Sequence, residues 1–110
     1  MKAAIFHPSA RAAIRLFPED VRKEIGKAIL DLQRGEILTM PLSRSMNSVA
    51  PGVSELRIRD RSGSFRVLYW MRSLRGILVF HAFLKKSQTT PKDEMELGRR
   101  RLKELIDEEI

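Results

Sequence analysis

Apolar and polar positions divide the chain into segments with different periods. Lys2 to Phe6 is a short apolar run that His7-Pro8-Ser9 interrupts, which predicts a first or edge strand followed by a break. Ser9 predicts the cap of a short helix ending near Leu16, and Pro18-Glu19-Asp20 predicts a second helix start, with proline tolerated and acids favoured in the first turn. Val21, Ile25, Ala28, Ile29 and Leu32 then recur at helical spacing, drawing one apolar stripe that Gly35 ends. From Glu36 to Gly52 no period survives, and the proline, serine and glycine content predicts a connecting loop.

The pattern changes again after Gly52. Val53 to Asp60, Phe65 to Arg72 and Ile77 to Lys85 are β-rich runs joined by Arg61-Ser62-Gly63-Ser64 and Ser73-Leu74-Arg75-Gly76, the signature of an antiparallel meander. Strict alternation sets Leu56 and Ile58 against Glu55, Arg57 and Arg59, and Phe65, Val67 and Tyr69 against Arg66, Leu68 and Trp70. In the third run it sets Ile77, Val79, His81, Phe83 and Lys85 against Leu78, Phe80, Ala82, Leu84 and Lys86. Thr90-Pro91-Lys92-Asp93 predicts a last helix, capped by Thr90 and lined on one side by Met95, Gly98, Leu102, Leu105 and Ile106. The order βααβββα reads as an α+β protein: a two-layer sandwich with a mostly antiparallel sheet and its helices on one face, forming one domain over residues 1–110.

Composition narrows the chemistry. Cysteine is absent, so neither a disulfide framework nor a thiolate site is available. No window approaches the roughly 20 apolar residues of a membrane span, and the N-terminal run has no leader pattern, so a cytoplasmic location away from membranes is expected. The formal net charge is +7, and between Val53 and Lys92 nine cations face only Glu55 and Asp60. The whole surplus sits in about a third of the chain, which points to an anionic partner. Arg66, inside an otherwise apolar strand, needs either a structural carboxylate such as Glu55 or Asp60, or a phosphate that its planar fork can grip.

Three segments carry a resemblance. Glu55-Leu56-Arg57-Ile58-Arg59, then Phe65-Arg66-Val67-Leu68-Tyr69, then Phe80-His81-Ala82-Phe83-Leu84-Lys85-Lys86-Ser87-Gln88-Thr89-Thr90-Pro91 are similar, in order and spacing, to the phage-derived branch of the RelE/HigB toxin superfamily. The resemblance implies a RelE-like sandwich that acts as an mRNA interferase. Such a toxin cleaves mRNA in the A site of the small ribosomal subunit and is held inactive by an antitoxin, often a helix-turn-helix protein. Arg66 then matches the family's strand arginine, the choice for transition-state stabilisation. Arg57, Arg59 and Arg61 match the basic strand and turn before it, and Lys85 and Lys86 the basic end of the last strand.

Metal-free RNA cleavage by the ribose 2′-hydroxyl asks for a base, for cations against the phosphorane charge, and for an acid at the leaving oxygen. Arg66, Arg59 and Lys85 are the catalytic candidates, a lysine serving as base once burial or neighbouring cations lower its pKa. Arg57, Arg61, Lys86, Gln88, Thr89 and Lys92 are the RNA-binding candidates, and His81 is a possible acid or base whose bland reading is a half-buried strand histidine bonded to a neighbouring main chain or hydroxyl. Tyr69 and Trp70 are read as core rather than base-stacking aromatics, and His7 as structural. The sequence departs from members that place an aromatic or histidine after the last strand. A non-catalytic RNA- or protein-binding module of the same fold, such as a phage accessory protein, is therefore the alternative. No glycine loop, metal-ligand spacing or nucleophile turn is present, so no cofactor is expected.

Overall fold

A computed structural model describes residues 1–86 and 91–109 of the protein. Its elements run β1 (Ala4–Phe6), α1 (Pro8–Arg15), α2 (Glu19–Gln33), β2 (Ser43–Ser45), β3 (Val53–Asp60), β4 (Gly63–Ser73), β5 (Gly76–Lys85) and α3 (Lys92–Asp107). The five strands form one sheet in the order β1-β5-β4-β3-β2, antiparallel except where the edge strand β1 runs parallel to β5. The α+β class, the mostly antiparallel sheet and the three-strand meander are as the pattern predicts. Among the described residues no helix is long and apolar enough to cross a membrane.

Burial explains where the helices go. Val21, Ile25, Ala28, Ile29 and Leu32 of α2 are all buried, packed with Leu56, Ile58, Val67, Tyr69 and Val79 of the sheet. Each large aliphatic side chain taken fully out of water contributes about 1.5–3 kcal/mol. α3 takes the opposite face, where Leu102 and Leu105 join Val53, Leu68, Leu78 and Phe80. The helices therefore cover both faces rather than one, because the central strands β4 and β5 are apolar on both sides. Gly98 allows the close approach, since a Cβ there would lie 3.1 Å from Leu68 Cδ1.

Other departures from the pattern are local. Residues Ser43–Ser45, expected as loop, pair antiparallel with β3, Arg44 opposite Glu55. The cap of α1 is His7 rather than Ser9: its Nδ1 accepts from the Ser9 amide at 3.1 Å, and Pro8 occupies the first turn. The cap residue of α3 is Pro91, and the expected cap Thr90 lies outside the described residues.

One irregularity changes which way the end of β5 faces. Tyr69 pairs with Val79 and Leu68 with His81, so Phe80 is an extra residue in β5, a bulge. Beyond it the parity flips: Ala82 and Leu84 join the α2 side, while His81, Phe83 and Lys85 stand opposite Leu68, Arg66 and Ser64. Simple alternation puts Lys85 on the face of Ile77 and Val79; the bulge turns it to the face of Arg66.

His81 ties this face to α3. It is 2% exposed, Arg101 donates to its Nδ1 at 2.7 Å, and its Nε2 lies 2.8 Å from Glu94 Oε1. An arginine can only donate, so Nδ1 is the bare nitrogen and the proton sits on Nε2, donated to Glu94. Burial, opposed by the Glu94 hydrogen bond and aided by the Arg101 charge, holds the imidazole pKa below its usual 6.5. The unfolded state thus binds more protons just below that value, and stability falls as pH drops through this window. Thermal melts between pH 7.5 and about pH 5.5 should show a steeper loss for the wild type than for His81→Gln; parallel curves would remove His81 as the cause.

Candidate functional site

α3 covers only part of its face of the sheet. Beyond it, at the end of the sheet formed by the β3–β4 turn and the close of β5, the sheet bears a cleft of about 620 Å³. Six cations line it: Arg57, Arg59, Arg61, Arg66, Lys85 and Lys86, with Asp60 as the one acid. The hairpin brings β3 and β4 cations together, Arg57 directly opposite Arg66 and Arg59 opposite Ser64. The bulge brings in Lys85, opposite Ser64 from the other side. Asp60 is spent on the turn, where its Oδ1 accepts from the Ser62 amide at 2.7 Å and the Ser62 hydroxyl at 2.6 Å.

Arg66 is held rather than free. Its Nη1 donates to Glu55 Oε1 at 2.6 Å and its Nε to Ser64 Oγ at 3.0 Å, with the side chain 5% exposed. Glu55 is fully buried, and Arg44 of β2 donates to the same oxygen at 3.2 Å. The structural carboxylate weighed against a phosphate is thus present. The pair lies in the cleft wall, however, and fixes one face of the guanidinium while Arg66 still lines the cleft. Among the described residues, none of the other five lining cations has a carboxylate within ion-pair distance.

Burial, and then crowding, perturbs two of them. The Lys85 ammonium, 8% exposed, is held below the usual lysine value by burial first and by the Arg66 charge next; Glu55 opposes this and Arg44 and Arg57 reinforce it. Arg57 is lowered in the same way, by burial and then by Arg66 and Arg44. Lowering the pKa makes the neutral amine more accessible than in a free lysine, and the arginines supply fixed positive charge.

The candidates therefore separate. Arg57, Arg59, Arg61, Arg66, Lys85 and Lys86 converge on one cleft. Lys92 is exposed at the start of α3 and does not line it, while His81 is buried under α3 with both nitrogens engaged by the Glu94 and Arg101 side chains, rather than half-buried and bonded to main chain or a hydroxyl. Gln88 and Thr89 lie outside the described residues. Tyr69 is core, its hydroxyl 2.6 Å from Ser43 Oγ, and Trp70 Nε1 donates to the Pro51 carbonyl at 3.1 Å. His7 joins α1 to α3 through Glu104 at 3.1 Å. Arg44 and Ser64 are the residues sequence reasoning missed: Arg44 stands in a segment read as loop, and Ser64 in a turn with no pattern of its own.

Among the described residues no group of three or more His, Cys, Asp or Glu is placed to hold a metal ion. No curated protein matches the chain. Residues 12–103 match the family described as Phage derived protein Gp49-like (DUF891). That span includes the meander, the cationic cleft and most of α3, and on it the chain belongs to the phage-derived Gp49-like protein family.

Proposed function

We propose that the protein is the toxin of a toxin-antitoxin pair, cleaving mRNA in the A site of translating ribosomes in the cytoplasm. The observation that carries this is the convergence of six cations on one cleft, five of them without carboxylate partners among the described residues. Membership of a phage-derived family and the resemblance of the three strand motifs support it. In this reading Lys85, as the neutral amine, takes the proton of the ribose 2′-hydroxyl, whose oxygen attacks the adjacent phosphorus. The bond to the 5′-oxygen breaks, leaving a 2′,3′-cyclic phosphate, and that oxygen takes a proton from solvent. Arg66, with Arg59, holds the charge that grows on the phosphorane oxygens. A helix-turn-helix antitoxin is the proposed partner.

A second reading rests on His81. With its imidazole sequestered, no histidine among the described residues lines the cleft to supply a leaving-group proton, which favours a non-catalytic RNA-binding module on the same scaffold. Translating ribosomes on a defined mRNA distinguish the two. New 5′ ends at the A-site codon with the wild type, reduced about 10²–10³-fold in Arg66→Ala, are the expected result. RNA binding with no new 5′ ends would select the binder.

A further inference from the structure

A second, smaller cleft of about 420 Å³ opens beside the cationic one and shares Arg57, Arg59, Ser64 and Arg66 with it. Its far wall is apolar, made by Pro41 and Leu42. Leu42 is anchored twice: its carbonyl accepts from the Arg57 amide at 2.8 Å, and its side chain packs against the α2-side core. This apolar slot therefore adjoins the set of phosphate-seeking cations and has a firmly placed wall.

Arg57 stands between the two clefts with its hydrogen-bonding capacity unspent. Its Nε is buried without a partner among the described residues, and its Nη1 meets only the Met40 sulfur at 3.3 Å, a weak acceptor. The enclosed Nε is out of a ligand's reach, but Nη2 has no hydrogen-bond partner among the described residues, and a ligand oxygen that meets the outer fork displaces at most the weak sulfur contact. Arg59, exposed across the slot, has a planar guanidinium of the kind that stacks on bases.

We infer that this slot seats the nucleobase next to the phosphate held in the cationic cleft, and that Arg57 makes it selective for keto bases. The inference rests on the RNA reading above. An arginine fork only donates, so it matches the O6 and N7 acceptors of guanine or the O4 of uracil. The N6 and N4 amino groups of adenine and cytosine would meet it donor against donor.

The test uses the full chain and short RNAs whose 2′-hydroxyls are methylated, so that binding is read without cleavage. Guanine- or uracil-containing trinucleotides should bind about tenfold more tightly than adenine or cytosine ones. Arg57→Lys, which keeps the charge but not the fork, should bring the four within about twofold while leaving the salt dependence in place. 2-Aminopurine, a purine with neither O6 nor a 6-amino group, should bind the wild type more weakly than guanine and no more weakly than adenine, a readout that needs no altered protein. Equal affinity for all four bases, or a preference that survives Arg57→Lys or the loss of O6, overturns the keto-base slot and leaves the cationic cleft as an RNA site. No salt-dependent binding of any trinucleotide overturns both.

Discussion

Replacing Glu55 by alanine is expected to cost about 3–5 kcal/mol of folding stability, a loss on the scale of a large core truncation. Glu55 has no exposed surface, and one of its oxygens accepts from Arg66 at 2.6 Å and Arg44 at 3.2 Å. Its other oxygen has no partner among the described residues. Removing the carboxylate leaves the nearly buried Arg66 charge uncompensated beside Arg57 and Lys85, and a buried unpaired charge is far more costly than the pair was worth. Glu55→Gln keeps an acceptor and loses the charge, so its loss should be smaller. The double variant Glu55→Leu/Arg66→Met should recover much of the stability, because apolar isosteres of a buried ion pair are often neutral or better. Urea denaturation with unchanged slope reads all three; a Glu55→Ala loss below about 1 kcal/mol would show that the pair does not hold this end of the sheet.

The cost of that network shows why the site was only partly legible in the sequence. α2 and the meander announce themselves because their apolar positions repeat at periods that belong to one element type, and the cations stand out because nearly all their counter-charges lie elsewhere. Convergence was harder to read. Arg57, Arg59 and Arg66 share a face through the hairpin, but the turn is Arg61-Ser62 alone, with Gly63 and Ser64 already paired to Asp60 and Arg59, so Arg57 rather than Arg59 stands opposite Arg66. Lys85 depends on the bulge at Phe80, and an apolar residue flanked by apolar residues carries no mark of being counted twice. α3 lies on the face opposite α2 for a related reason: Leu68, Leu78 and Phe80 make β4 and β5 apolar on both sides, and such strands demand cover on both. β2 left no signal, since Ser-Arg-Ser has no β-forming side chain and is held by its pairing with β3. The same segment brings Arg44 to Glu55, so the carboxylate's second partner was hidden with it.

In the proposed mechanism, Lys85 is where stability and cleavage pull in opposite directions. Burial and the Arg66 charge lower its pKa below the usual 10.5, so the folded state resists the ammonium that neutral pH imposes. The unfolded chain binds more protons between the lowered value and 10.5; stability at neutral pH is therefore reduced by this group, and Lys85→Met should raise the melting temperature. The same depression makes the neutral amine more available, and the proposed mechanism uses it as the base. Single-turnover cleavage on programmed ribosomes should then rise with pH and level off below the ordinary lysine value. Lys85→Met should lose about 10²–10⁴-fold in rate. Lys85→Arg separates charge from proton transfer: it should keep the salt dependence of RNA binding and still lose the pH-dependent limb, since a guanidinium does not give up its proton in this range. A flat rate profile for the wild type, or near-normal cleavage by Lys85→Arg, would leave Lys85 as a phosphate contact and move the base elsewhere. A gain in stability coupled to that loss of rate would identify the crowded cations as held against their own repulsion for the sake of the reaction.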